Sequence, residues 1–332
     1  MGFWDLLTFL LVFVTILFVI MCASPEGDSF LNKLNRVVFI YIPKGTYRMT
    51  VNLLGIERTN QLKFYLLYIF TEQSPFFQLI YLALSLGGYT VFLHYGFPFM
   101  PNMFVDEYHI YIGSFLYFLA LMSFFASCLA SPGIIKKSNL KDHLKLFKYD
   151  NILYKPTDCG TCKFQRPARS KHCSICGYCI SKHDHHCIWI NQCVGYSNYK
   201  FFLMFILSHS IVCTYAGIVG FFIFMSIIKK EKLLTAVFTD SSGNSFDSTW
   251  GVIFQFLLQQ FPAFMFVVIL CLLMGLVLGG FFIYHLLMAG SNSTSSERVK
   301  KLRLPNEGSD VVNIYNLGFI QNLKEIYEAS EF

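Results

Sequence analysis

Residues 159–193 read CGTCKFQRPARSKHCSICGYCISKHDHHCIWINQC, and seven of the chain's eleven cysteines fall inside them. The stretch contains an internal repeat. Cys159, Cys162, His172 and Cys179 are spaced C-x2-C-x9-H-x6-C, and Cys173, Cys176, His186 and Cys193 repeat that spacing fourteen residues later. Three thiolates and one imidazole form a tetrahedral donor set for a closed structural Zn²⁺ site. The two sets interleave, because Cys173 and Cys176 open the second before Cys179 completes the first. Two zinc ions would pin about 35 residues that have too few apolar side chains to make a core. His183 and His185 are alternative imidazole ligands, so the number of sites is firmer than each ligand's assignment.

The repeat leaves one cysteine over. A third copy would start at Cys187, but its next positions are Ile190 and Lys200. Cys187 lies instead in His183-Asp184-His185-His186-Cys187. A thiolate is the nucleophile of cysteine chemistry, and it forms at neutral pH when a base or positive charge lowers the thiol pKa. His185 is near enough in sequence to take the proton. Asp184 can fix its tautomer and stabilise the imidazolium, as the third member of a catalytic triad does. His186 on zinc would lock the backbone beside Cys187. Chemistry alone leaves Cys187 as either a nucleophile or a spare thiol, since spacing does not show which side chains face the sulfur.

The surrounding chain is apolar. Of 332 residues 55% are hydrophobic and 14% charged, against about a quarter charged in soluble domains. Stretches 1–32, 76–135, 201–228 and 251–297 hold no Lys or Arg, and within them lie runs matching the roughly 20 helical residues that cross a bilayer. Five spans are predicted, at about 3–23, 76–96, 108–130, 202–228 and 264–289. The first lacks the positive n-region of a signal peptide and exceeds its usual apolar length, which favours a retained span over a cleaved leader. Met1-Gly2 resembles a myristoylation start, but Leu6 stands where Ser or Thr is wanted. Ser131-Pro132-Gly133 is a turn that stops the third span, and Pro262 divides the apolar stretch 250–289 into a lumenal or interfacial helix and the last span.

Charge sets the orientation. Of 26 Lys and Arg, six lie in 24–75, twelve in 132–201, three in 229–250 and five in 291–332, while 97–107 has none. Cytoplasmic loops collect these residues. The loops 24–75 and 132–201 and the tail 291–332 are therefore expected in the cytosol, with the N-terminus lumenal. In that reducing compartment dense Cys and His mean metal or catalysis rather than disulfides. Cys22, Cys128, Cys213 and Cys271, in or beside apolar spans, read as small buried hydrophobes. The net charge of +6 fits an anionic membrane surface and makes no case for nucleic acid. The expected layout is three spans with a cytosolic loop over 1–131, a cysteine-rich domain over 132–200, two spans over 201–290 and a tail over 291–332. A helical-looking basic segment near Arg36–Arg58 is read as lying on the membrane or binding a partner.

At these residues the chain resembles the DHHC-type protein S-acyltransferases, or palmitoyltransferases. The pattern runs through Cys159, Cys162, Arg166-Pro167, Arg169, His172-Cys173, Cys176, Cys179, Asp184-His185-His186-Cys187, Cys193, Asn198 and Phe202. Outside it the match is looser. Ser131-Pro132-Gly133 stands for the family's Asp-Pro-Gly, and Thr294-Ser295-Ser296-Glu297 for its Thr-Thr-x-Glu. Asn313-x-Tyr315-x-x-Gly318-x-x-x-Asn322 is similar to the motif that braces the domain against the helices. The resemblance implies an all-α polytopic membrane protein with a four-helix core and a cytosolic two-zinc domain, the first span being an addition as in the endoplasmic-reticulum branch. It implies transfer of palmitate, or a similar acyl group, from acyl-CoA to Cys187 and then to a juxtamembrane cysteine of a membrane-associated protein, in the endoplasmic reticulum or Golgi. By resemblance His185 is the base, Asp184 its orienting partner and His186 a zinc ligand. Asn198, Thr294, Glu297 and Asn322 are implied supports.

An acyl chain is expected to stay among the spans, where burying each methylene is worth roughly 0.8 kcal/mol. Phe202, Phe205, Tyr215 and Phe222 are candidates to line its path. Lys163, Arg166, Arg169, Lys171 and Lys182 are candidates for the CoA phosphates, with solvated surface charge as the alternative. A catalytically inactive zinc scaffold is the rival from another class. A transporter would want polar groups in its spans, which offer mainly His209, His285 and scattered Ser and Thr.

Overall fold

The computed structural model describes residues 42–71, 73–239, 243–302 and 312–329. The expected first span and Cys22 lie outside them. The chain divides into two units, Met1–Glu72 and Gln73–Phe332. In the first, helices α1 (Ile42–Leu54) and α2 (Ile56–Thr71) meet at Gly55 and pack on each other. They cover most of the expected basic segment.

The second unit is built on four long helices. Among the described residues four segments are long and apolar enough to cross a membrane: Phe76–Phe99, Tyr108–Leu129, Tyr199–Lys230 and Pro262–Gly290. They contain α3 (Phe76–Tyr95), α4 (Tyr108–Leu129), α6 (Tyr199–Lys230) and α8 (Pro262–Gly290). Each agrees with an expected span to within a few residues, and the protein is a multi-pass membrane protein. The stretch before Pro262 is a separate helix, α7 (Trp250–Gln260), capped by the Thr249 side chain. It breaks at Phe261 because proline at the first position of α8 has no N–H to continue a helix.

Helices α6 and α8 form the central pair. Small residues let their backbones approach, as membrane helices require when solvent exclusion no longer drives association. A Cβ on Gly275 would lie 2.5 Å from Thr214 Oγ1, so glycine is needed there. One apolar cluster around Ile223, Phe224, Phe264 and Val268 fills the end of the bundle nearest α7. A second, around Phe124, Phe202, Ile206 and Ala289, fills the opposite end and includes Cys187.

Between α4 and α6 the chain leaves the bundle. Short strands replace helix there: β1 (Ile134–Ile135), β2 (Lys171–Cys173), β3 (Tyr178–Ile180), β4 (His185–Cys187) and β5 (Gln192–Val194), with one short helix, α5 (Leu140–Leu146). The sheet order is β1-β3-β2, with β4-β5 as a separate hairpin. After α8 come α9 (Ser295–Leu302) and α10 (Phe319–Glu328), which packs against α8 and α6.

Candidate active site and metal centres

The two ligand sets predicted from spacing are assembled. The donor atoms of Cys159, Cys162, His172 and Cys179 all lie within 4.8 Å of one another, as do those of Cys173, Cys176, His186 and Cys193. Each set draws two ligands from opposite strands of a hairpin, His172 facing Cys179 across β2–β3 and His186 facing Cys193 across β4–β5. The other two come from a Cys-x-x-Cys turn. His186 Nδ1 lies 3.3 Å from Cys176 Sγ and 3.7 Å from both Cys173 and Cys193 Sγ, and Cys176 Sγ lies 3.6 Å from Cys193 Sγ. Zinc bonds of about 2.3 Å to sulfur and 2.0 Å to nitrogen put tetrahedral ligand atoms roughly 3.4–3.8 Å apart. Both sets can hold a metal ion, and the donor chemistry and spacing fit zinc.

The backbone extends the repeat beyond its ligands. Lys163, Gly177 and Asn191, again fourteen residues apart, all have left-handed φ, at 55°, 74° and 53°. Lys163 N and Gly177 N donate to the carbonyls of Cys159 and Cys173 four residues earlier, and Asn191 N, four residues after Cys187, donates to the Ile188 carbonyl. In the first two turns a backbone N–H points back at that cysteine: Cys162 N donates to Cys159 Sγ at 3.4 Å and Cys176 N to Cys173 Sγ at 3.5 Å. In the third, N–H groups of Ile190 and Trp189 act on Cys187. Cys187 therefore opens a third metal-type turn whose further ligand positions are apolar or absent. The turn keeps the donors that stabilise a thiolate, without a metal.

Strand alternation separates the two chemistries. Successive side chains of a strand point to opposite faces, so His186 faces Cys193 and the second ligand set while His185 and Cys187 share the other face. That face meets the bundle. Cys187 is buried against Phe124, Ile190, Phe202 and Ala289. Asp184, fully buried in its side chain, accepts from His185 Nδ1 at 2.7 Å, which leaves Nε2 for the thiol. The second Asp184 oxygen accepts from Ser295 N at 2.7 Å. A carboxylate at the first turn of a helix is favoured by the N–H groups exposed there.

These partners set the charges. Burial pushes the Cys187 thiol up, but the hydrogen bond and charge of His185, with the turn N–H groups, bring it below its ordinary value. Burial pushes His185 down, and the hydrogen bonds to Asp184 and Cys187 outweigh it, raising the imidazole to about 9. Asp184 is raised by burial yet held below the usual carboxylate range by His185 and Ser295. The arrangement favours a thiolate–imidazolium pair, ready to attack a thioester.

The supporting residues tie the helix ends to the cysteine-rich domain and to each other. Thr294 and Glu297 form a capping box at the start of α9: Glu297 N donates to Thr294 Oγ1 and Thr294 N to Glu297 Oε2. Ser295 contributes its backbone N–H, so serine where the family has threonine leaves that contact intact. Asn198 accepts from Gly195 N and donates to the Cys193 carbonyl, tying β5 to the first turn of α6. Asn322 donates to the Gly290 carbonyl at 2.7 Å and accepts from Leu317 N, tying the end of α8 to the C-terminal segment.

Two of the proposed phosphate-binding cations are used elsewhere. Arg169 is 1% exposed. Its guanidinium is bidentate on Glu297 at 2.7 and 2.9 Å, donates to Asn292 Oδ1 and O, and lies over Tyr315 at 4.4 Å. Four of its five N–H groups are thus taken, and it locks α9 to the cysteine-rich domain rather than holding a phosphate. Lys182 is buried and paired with Glu325 at 2.9 Å. Arg166 is half-buried and donates to Thr157 at 2.9 Å, whereas Lys163 and Lys171 are exposed. Sequence reading missed Asn292 and gave Ser295 no role of its own, and it noted that a third copy of the repeat would start at Cys187 without the left-handed position that residues 163, 177 and 191 share.

Of the apolar candidates, Phe202 and Phe205 lie at the Cys187 end. Tyr215 is sixteen residues into α6, roughly 24 Å along it, and is hydrogen-bonded to His109 at 2.7 Å. Phe222 is farther still and 40% exposed.

The sequence model of the family described as DHHC palmitoyltransferase matches residues 152–302. The chain is similar to palmitoyltransferase ZDHHC4 of Bos taurus, 26% identical over 98% of this chain and 96% of that protein. It is also similar to the ZDHHC4 of Mus musculus, 30% identical over 62% and 64% of the two chains. Palmitoyltransferase swf1 of Schizosaccharomyces pombe is 33% identical over 53% and 49%. With four candidate spans, two metal-ligand sets and the Asp184–Cys187 sequence in one arrangement, residues 152–302 form a domain of the DHHC palmitoyltransferase family.

Proposed function

We infer that the protein is an integral-membrane protein S-acyltransferase that carries palmitate, or a similar long acyl group, on Cys187. The observation that supports this most is the division of β4, with His185 and Cys187 toward the membrane helices and His186 toward a metal. Two Zn²⁺ ions, held by the two Cys3His sets, supply structural charge neutralisation and fix the hairpins. The donor is a long-chain acyl-CoA.

In the first half-reaction His185 Nε2 takes the Cys187 proton and the thiolate attacks the thioester carbonyl. The bond from the acyl carbon to the CoA sulfur breaks, and the departing thiolate takes the proton from His185. In the second, a protein thiol gives its proton to His185 and attacks acyl-Cys187, whose sulfur leaves and is reprotonated. Asp184 holds the imidazole and balances its charge throughout. The acyl tail lies against the Phe124, Phe202 and Phe205 end of the bundle, and Lys163, Lys171 and Arg166 are the cations that remain for the CoA phosphates. Acceptors are membrane-associated proteins with a juxtamembrane cysteine. The Lys and Arg distribution supports a cytosolic site, and endoplasmic reticulum or Golgi membranes are the proposed location.

Covalent storage gives ping-pong kinetics. Varying palmitoyl-CoA at several concentrations of an acceptor protein should give parallel double-reciprocal lines. A chain that binds two zinc ions yet transfers no acyl group would instead be a scaffold.

A further inference from the structure

The mechanism leaves one buried histidine of the spans unused. His285, in the last turns of α8, is 2% exposed. A buried polar side chain in a membrane span is costly, and it persists where it has a partner and a task. Its partner is Tyr199 in the first turn of α6, whose hydroxyl lies 2.9 Å from His285 Nδ1 and 3.4 Å from the His285 carbonyl. This bond joins the two spans on either side of the Cys187 end of the bundle.

The pair also faces the reacting base. The His285 and His185 rings have centroids 6.0 Å apart, tilted by 46°. Phe202 stands edge-on to both, 5.2 Å from His185 and 5.1 Å from His285, and Phe281 packs on His285 at 4.5 Å and on Phe202 at 6.3 Å. Asp184 fixes the nitrogen at one edge of His185 but leaves the ring free to swing about that hydrogen bond. Phe202 and His285 are the rings packed beside it, at 5.2 and 6.0 Å between centroids. The two ends of this wall are tied to the site through separate routes. Tyr199 follows Asn198, which grips the ligand strand β5, and His285 leads through α8 to Ser295, which grips Asp184.

We propose that His285, hydrogen-bonded to Tyr199 and packed through Phe202, is a positioning residue that holds the His185 ring in the plane presenting one nitrogen to Asp184 and the other to Cys187. This rests on the reading of Cys187 as the acyl carrier. An aromatic of similar shape could fill the space, but only a side chain anchored to Tyr199 keeps the wall in register with α6. A misplacement of an ångström or less in a proton-transfer group lowers the rate by about 10- to 100-fold.

The test is single-turnover thioester formation with palmitoyl-CoA in full-length protein in lipid nanodiscs, measured for the native chain, Cys187→Ser, His285→Phe, Tyr199→Phe and the double variant, with zinc content and melting temperature alongside. The expected result is a fall of about tenfold or more in the maximal rate for His285→Phe, with KM for palmitoyl-CoA within about twofold, two zinc ions retained and an unchanged melting temperature. Tyr199→Phe should give a similar fall and the double variant no further loss, as for residues acting as a unit. His285→Gln, whose amide can take the Tyr199 hydroxyl, should recover part of the rate. Native rates in both single variants would overturn the proposal, and so would a loss that tracks zinc release or a lowered melting temperature, since the role would then be only structural. If the native chain itself forms no thioester that Cys187→Ser lacks, the reading of Cys187 fails, a result distinct from failure of this inference.

Discussion

Asp184 shows how one residue links folding to chemistry. Its two carboxylate oxygens serve different masters, one His185 and the other the Ser295 N–H at the start of α9. Asp184→Asn keeps the size and one hydrogen bond but removes the charge that stabilises the imidazolium. It is expected to slow thioester formation by roughly 10²-fold or more, as loss of the orienting carboxylate does in a triad, with zinc content unchanged; single-turnover intact mass reads this. The acidity of the pair gives a second expectation. Because the Cys187 thiol is held low, the attacking thiolate is present above that lowered value and is lost as pH falls through it. Above about 9 the His185 imidazolium that serves the departing thiolate is lost in turn. The rate should therefore plateau between these limits. In His185→Ala the acidic limb should move to higher pH, toward that of an ordinary thiol; an unmoved limb would remove His185 from the pair. That Cys187 and His185 share a site was readable in sequence as a leftover cysteine beside a histidine, and the roles proposed for them rest on that proximity. Ser295 was not, because its contribution is a backbone N–H that any residue carries.

At the scale of the element, the β4–β5 hairpin is the unit that turns metal binding into reactivity. Its period of two puts His186 on the metal face and His185 and Cys187 on the other, so a ligand and a nucleophile one residue apart never compete. On the proposed two-zinc reading a metal would help fix the hairpin's shape, beside the packing of Cys187, Ile190 and Val194 on the bundle. Cys176→Ser, or treatment with a strong chelator, is expected to release zinc and abolish thioester formation together, whereas Cys187→Ser keeps two zinc ions per chain. Zinc by elemental analysis against acylation by mass checks both. The two ligand sets were legible in the fourteen-residue repeat, whereas the hairpins that carry them were not, because strands of three residues leave too short a pattern to read. The fate of Arg169 was not legible either. A cation beside two zinc sites reads as a phosphate ligand, and only the fold brings Glu297, 128 residues away, against it. Removing one partner of so buried a pair costs roughly 3–5 kcal/mol, which makes it a clamp between α9 and the domain.

Across the whole molecule, four spans carry the site at one end and α7 with the β6 (Val237–Thr239) and β7 (Ser245–Asp247) hairpin at the other. The span limits were plain in the sequence because length and the absence of charge decide them, and Pro262 marked the break before the last one. Which polar residues in the spans matter was not plain: His285 and Tyr199 are 86 positions apart and meet only through the packing of α6 on α8. The Lys and Arg distribution supports the proposed topology, with the cysteine-rich domain and the tail cytosolic and the loop before α7 lumenal. An N-glycosylation acceptor inserted near residue 243 should be modified in microsomes, and one inserted near residue 138 should not. The reverse pattern would invert the topology.

The most direct measurement is the intact mass of the purified protein after incubation with palmitoyl-CoA, native chain against Cys187→Ser. The expected result is one added palmitoyl group, removed by hydroxylamine and absent from the variant. Two unmodified proteins that each hold two zinc ions would contradict the enzyme and leave a membrane-anchored zinc scaffold.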